Sequence, residues 1–276
     1  MTSPRPFELV PRRRFVGTPF GHRRSARRGE GDEVAGTRPY RPGDQRAHIH
    51  WPASARLSSA RGTDEFVVRE FYADEAPCVA VARDRRPGMT INPDGPWLDK
   101  DEAAATAEQL IAASAAAENA ALVRAGEPGS EHSLRLALDA LARRSRELPS
   151  GSFVFVVSDF LAPVPAGVWL HLRALHWDVV PVVVQDPVWE QTFPQLGGVV
   201  LPLEDPSGDR SGDLFVSSRE ARTRAAANER RWDALLARFR RLGFDPVVVA
   251  TGERSEIANA FARWAERRRQ LRRAAR

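Results

Sequence analysis

The sequence predicts an α/β fold for residues 76–276, a mostly parallel sheet with helices on both faces. Three observations carry that expectation. Beyond residue 75, short apolar runs alternate with stretches of helical periodicity, the order produced when parallel strands are joined by crossover helices. The runs are continuously apolar rather than alternating, which requires burial on both faces. Finally, 276 residues with 42% hydrophobic content suffice for one large domain, or one and a half, with a sizeable core.

Residues 1–16, with arginines at 12–14, read as a flexible Arg-rich arm, and residues 17–75 as a loop and strand region. Within it, Pro39, Pro42 and Pro52 each remove a backbone donor, and Pro42-Gly43 is a turn signal with Asp44 as its side-chain acceptor. Residues 38–51 are therefore expected to form an irregular loop, and 67–71 a strand. The apolar runs at 79–82, 153–157, 179–184 and 247–250 are the strands of the sheet. Residues 101–123 are an Ala-rich helix, and 131–147 a helix with Leu134, Leu138 and Leu141 on one side. Residues 219–241 turn Trp232, Leu235, Leu236 and Phe239 inward, and 255–273 do the same with Ile257, Phe261 and Trp264. Residues 197–203 and 213–216 pair as a hairpin across the turn-rich PSGDRSGD. The stretch ALVRAGEPGSEH, between the first two helices, is too short and polar for two strands, so the sheet is expected to be smaller on that edge.

The N-terminal region carries a recognisable pattern. Arg38, Tyr40, Pro42, Gly43 and Asp44 are followed by Ile49, His50 and Trp51, by Ser54, Ala55 and Arg56, and by Val68, Arg69 and Glu70. Further on come QDPVWEQTFPQLGG at 185–198, DPSGD at 205–209 and LGFDPVVVAT at 242–251. From about Gly17 onward the chain resembles the bacterial family known as domain of unknown function 58. That resemblance implies a von Willebrand A-like domain, often encoded beside a MoxR-type AAA+ ATPase, with no established reaction. His50 stands where the family pattern has Asp, which implies that any role of that carboxylate is lost. Many similar proteins begin with a membrane anchor, which this chain is expected to lack.

Open parallel sheets bind ligands beyond the carboxyl ends of their strands, which places Asp84, Ser158, Asp159, Asp186 and Thr251 at the candidate site. The loop RDRRPGMT stands where the resemblance implies an Asp-x-Ser-x-Ser metal motif. Here Asp84, Arg86 and Gly88 occupy its positions, Asp159 matches a remote ligand, and only Ser133 is a weak stand-in for a Thr. Magnesium wants a set of hard oxygens, so Asp84 and Asp159 are read as a degenerate site holding no metal. No other cofactor is expected. Two carboxylates at adjacent strand ends repel unless a cation lies between them, and Arg86 or Arg85 is expected to supply it.

Composition excludes several classes. No span of about 20 apolar residues exists, so no transmembrane helix is encoded; with no signal-peptide core, a cytoplasmic protein is expected. Lone Cys78 reads as a buried small hydrophobe. Lys100 is the only lysine among 41 basic residues at net charge +5, an arginine bias typical of a GC-rich genome. Arginines cluster at 12–14, 23–28 and 263–276, where nucleic acid or an acidic surface would be attracted. His48 and His50 lack further zinc ligands, and there is no phosphate loop, dinucleotide fingerprint or nucleophile elbow. The expected function is a non-enzymatic interaction module, an adaptor or co-factor binding a MoxR-type AAA+ ATPase or its client. Its binding face would comprise Arg38, Tyr40, Asp44, Trp51, Arg56, Arg85, Arg86, Ser158 and Asp159, with Tyr40, Ile49 and Trp51 packed on the domain. An Arg-dependent nucleic-acid or polyanion binder and a vestigial hydrolase stay open as alternatives.

Overall fold

Each apolar run read as a strand lies in one parallel sheet. The computed structural model describes residues 6–12, 18–62, 65–90, 95, 97–125, 134–204 and 211–274. The sheet strands are β3 (Cys78–Arg83), β4 (Ala121–Ala125), β5 (Phe153–Ser158), β6 (Asp178–Val184) and β9 (Val247–Val249). They are ordered β4-β3-β5-β6-β9, every neighbouring pair parallel. Helices α2 (Lys100–Ala117) and α6 (Arg254–Ala274) cover one face, and α3 (Leu134–Arg143), α4 (Ala166–Ala174) and α5 (Ser218–Leu242) the other. This is a Rossmann-like α/β fold. The inward stripes read from the sequence are buried in α3 and α6, at Leu134, Leu138 and Leu141 and at Ile257, Phe261 and Trp264; in α5 Phe239 is buried while Trp232 and Leu235 pack partly against the core. The hairpin is β7 (Val199–Glu204) with β8 (Ser211–Val216), paired antiparallel and separate from the main sheet.

Two elements differ from expectation. The long helix stops at residue 117, Asn119 turns the chain in the left-handed region at φ 52°, and residues 121–125 become β4. Leu122 and Val123 pack partly against the core from this edge position, so the segment read as helix end and polar linker adds one strand. Helix α4, absent from the sequence reading, starts after Pro165 and buries Trp169 and Leu172. Its pattern was hidden because only nine residues carry it.

Residues 6–12, read as part of a flexible arm, instead run along the domain. Phe7 stacks on Phe261 with ring centroids 4.6 Å apart and meets Phe155 and Trp264 edge-on. The Phe7 amide donates to Ser114 Oγ at 2.9 Å, the Leu9 amide to Glu118 Oε1 at 2.8 Å, and Arg268 donates to the Val10 carbonyl at 3.2 Å. FELV is thus a short apolar run that completes the core between α2 and α6, and its burial outweighs the arginines beside it. The rest of the arm lies outside the described residues.

The N-terminal region is a two-stranded antiparallel ribbon, β1 (Thr18–Pro39) with β2 (Val67–Ala76), interrupted by several register shifts. Between the strands, residues 51–61, for which no helix was expected, form helix α1 (Trp51–Arg61) directly after the stretch read as an irregular loop. Pro52 falls in its first turn, where a missing N–H removes no helical bond. His50 caps it, Nδ1 accepting from the Ala53 amide at 3.1 Å, so the capping role open to an Asp there is kept by an imidazole. Ile49 is buried by its bridge to Val68. Tyr40 and Trp51, expected to be covered, are not: they are 36% and 60% exposed, and each ring forms a T-shaped pair with exposed Phe66. The cap sets Trp51 at the start of a short helix, pointing away from the covered side where Ser54 lies.

Candidate functional site at the carboxyl end of the sheet

Taken in chain order, the five sheet strands lie 2-1-3-4-5, so the winding reverses between β3 and β5. The crevice at such a reversal is where open α/β sheets hold their ligands. Asp84 follows β3, and Ser158 and Asp159 end β5. The Asp84 amide donates to the Val157 carbonyl at 2.8 Å, continuing the β3–β5 pairing and bringing the two carboxylates to the same mouth.

Arg86 lies between them. Its Nε donates to both Asp84 oxygens at 2.9 and 3.0 Å, its Nη2 also reaches Asp84, and the same Nη2 is 3.3 Å from Asp159 Oδ1. The bonds to Asp84 raise the Arg86 pKa above its ordinary value against the opposing effect of burial. The expected guanidinium bridge is therefore present, and Arg86 supplies it. Arg85 does not: its Nε is buried and has no partner among the described residues.

A second cation was not foreseen. Lys100, the sole lysine, is buried at the first turn of α2, where its Nζ donates to Asp159 Oδ2 at 2.9 Å and to Glu190 Oε1 at 2.7 Å. Burial by itself lowers a lysine pKa, but the charges of Asp159 and Glu190 outweigh it and the net direction is upward. Glu190 in turn accepts from the Asp186 amide at 2.9 Å, and Asp186 accepts from the amides of Leu98, Val188 and Trp189. Asp186 thereby fixes the loop after β6 and ties it to the entrance of α2. Thr251, also expected here, caps its own loop by accepting from the Glu253 amide at 3.1 Å.

Ser158 and Asp159, expected on a binding face, are instead sealed in. Asp159 is 3% exposed and Asp84 1%. Ser158 Oγ donates to Asp84 Oδ2 at 2.6 Å and accepts from the Phe160 amide at 2.9 Å. The reason is the pair of cations, which lets the carboxylates leave water without remaining unpaired. The same geometry tests a magnesium site. Every oxygen of Asp84 and Asp159 already accepts from Arg86, Lys100, Ser158 or the Leu161 amide, and positions 86 and 88 bring no hydroxyl, so these residues do not fit the ion. Among the described residues no group of three or more His, Cys, Asp or Glu side chains is placed to hold a metal. What meets solvent is a rim: Arg86, half-buried Trp97 and Trp189 packed edge to face at 6.2 Å, and exposed Val188.

The remaining candidates form a separate group on the ribbon. Arg38 grips Asp44 through two bonds of 2.7 and 2.6 Å, and its Nε is 3.2 Å from Glu70. The Arg38 bond first, and the Arg41 amide second, lower the Asp44 pKa to about 2. Arg56 is exposed and folds back onto the Pro52 carbonyl at 3.2 Å. No hydrogen bond or ion pair among the described residues links this group to Asp84, Arg86, Ser158 or Asp159, and β2 joins β3 at Cys78, the opposite end of that strand from Asp84.

A family model described as "Protein of unknown function DUF58" matches residues 119–234. Over those residues the chain is similar to that family. The matched span holds Ser158, Asp159, Asp186 and Glu190, while Arg86 and Lys100, which neutralise them, precede it. Searches of curated proteins and of solved structures found no match. No helix of the described residues is long and apolar enough to cross a membrane.

Proposed function

We propose that this protein is a member of the DUF58 family and a non-enzymatic interaction module of von Willebrand A type, whose carboxyl-end face docks a MoxR-type AAA+ ATPase or that ATPase's client. One observation carries the reading. The carboxylates at the switch point are neutralised from within by Arg86 and Lys100, so the crevice is filled by its own ion pairs and presents a pre-formed rim. Charges held in this way serve shape better than turnover, since a general base must be free to accept a proton. Among the described residues no histidine is hydrogen-bonded to Ser158, which is fully buried, and this weighs against the vestigial hydrolase. The rim residues Val188, Trp97 and Trp189 are the apolar and aromatic anchors that interfaces favour.

The test is a binding measurement between the purified protein and the MoxR-type ATPase encoded in the same genome, with ATP present. Val188→Asp should weaken binding about tenfold or more, which is about 1.4 kcal/mol, with the melting temperature unchanged because the side chain is exposed. Absence of binding, or equal binding by the variant, sinks the proposal. A second reading, Arg-dependent polyanion binding, draws support from exposed Tyr40, Phe66 and Trp51 beside Arg41, Arg46 and Arg56, none of which is ion-paired among the described residues. Aromatics with free guanidiniums suit stacked single strands. Binding of an oligonucleotide that falls steeply with salt, and is lost in Trp51→Ala, would favour it.

A further inference from the structure

The amino end of the sheet holds a cleft of about 490 Å³, within the range of small-molecule sites. Three connections meet there: the segment at 6–12, the turn between α4 and β6, and the turn between α5 and β9. Its mouth carries Arg12, Arg173 and His176, all exposed, and Trp177 and Phe244 contribute to its wall. Among the described residues none of the three basic side chains is in an ion pair. Asp178, the only acidic residue lining the cleft among the described residues, is already neutralised: Arg268, 2% exposed, grips it with bonds of 2.6 and 2.9 Å, and the Arg12 amide adds a third at 3.1 Å.

The contrast with the other end is chemical. At the carboxyl end two cations serve Asp84, Asp159 and Glu190; here, among the described residues, the cations outnumber the carboxylate, and Asp178 is satisfied by Arg268. Arg268 does more than neutralise Asp178. It also donates to the Val10 carbonyl, and so holds the chain that delivers Arg12. The left-handed backbone at His176, φ 57°, turns that imidazole out beside Arg173 while its carbonyl accepts from the Gly151 amide at 2.9 Å. A built scaffold thus presents two guanidiniums and an imidazole around a partly apolar recess. Guanidinium forks match the oxygens of a phosphate, and more than one of them suits a dianion.

We propose that this cleft binds a small phosphate monoester, its dianionic head among Arg12, Arg173 and His176 and its planar or apolar body against Trp177 and Phe244. The site is independent of the docking face and does not rest on it. The test is calorimetric titration of the full chain with phenyl phosphate, inorganic phosphate and phenol. Phenyl phosphate should bind saturably and more tightly than inorganic phosphate, and phenol should not bind. Arg173→Gln with His176→Gln should weaken phenyl phosphate about tenfold or more while keeping the melting temperature, since both side chains are exposed. Val188→Asp should leave this binding unchanged. No saturable binding of phenyl phosphate, equal binding of phenol or of inorganic phosphate, or an unaltered double variant each overturns the proposal.

Discussion

Lys100 shows how much a single buried charge can decide. It is the one lysine in an arginine-rich chain, and its compact ammonium fits between Asp159 and Glu190 with four-carbon reach from the first turn of α2. Replacing it by Met leaves Asp159 buried with one oxygen unpaired, and breaking a buried pair in this way costs about 3–5 kcal/mol. Urea denaturation of Lys100→Met should show that loss. Its pH dependence has a definite sign. The folded pKa lies above the ordinary lysine value of 10.5, so the lysine's contribution is complete below that value and fades only as pH rises through the higher one. The difference between wild type and variant should therefore be constant over about pH 6 to 9; a difference that shrinks across that window would contradict the ion-paired assignment. Asp84, Asp159 and Arg86 were legible in the sequence, because strand ends mark the crevice and two carboxylates demand a cation. Lys100 and Glu190 were not, since they meet across 90 residues and nothing local tells a buried lysine from a solvated one.

At the scale of elements, long periodic segments were legible and short ones were decided by tertiary contacts. Strands β3, β5, β6 and β9 follow from continuous apolar runs, and α3, α5 and α6 from apolar period, whereas β4 exists because it pairs with β3, and residues 6–12 are ordered because α2 and α6 leave a slot for Phe7 and Leu9. Helix α1 was obscured by Pro52, which reads as a breaker in sequence but sits where a helix tolerates it. These placements separate two aromatic residues that looked alike beforehand. Phe7→Ala should cost about 3 kcal/mol or more, a typical value for emptying a packed aromatic site. Trp51→Ala should cost less than about 0.5 kcal/mol, because its side chain is largely in solvent. Guanidinium denaturation of the two variants checks both; similar losses would mean that the ribbon packs on the domain after all.

Across the whole molecule, the sheet's two ends differ in how they treat charge, and the carboxyl end is arranged so that protein cations do what an ion would do. A cation there relieves the repulsion between Asp84 and Asp159, and Arg86 with Lys100 supplies it permanently. The melting temperature of the unmodified protein should accordingly be the same in EDTA and in excess magnesium. The exchange should be partly reversible by sequence. A side chain built at Gly88 would start 4.0 Å from Asp159 Oδ2, so Arg86→Ser with Gly88→Ser removes the competing guanidinium and brings two hydroxyls to the two carboxylates, a set of hard oxygens suited to magnesium. That variant should melt lower than wild type, having lost the bridge, and should regain part of the difference when magnesium is added, by an amount that grows with ion concentration as linkage requires. Calcium, which tolerates looser geometry, serves as a second ion in the same scan. Stabilisation of the unmodified protein by magnesium would show that Arg86 does not hold the site, and a double variant blind to both ions would show that the crevice was shaped for the guanidinium alone.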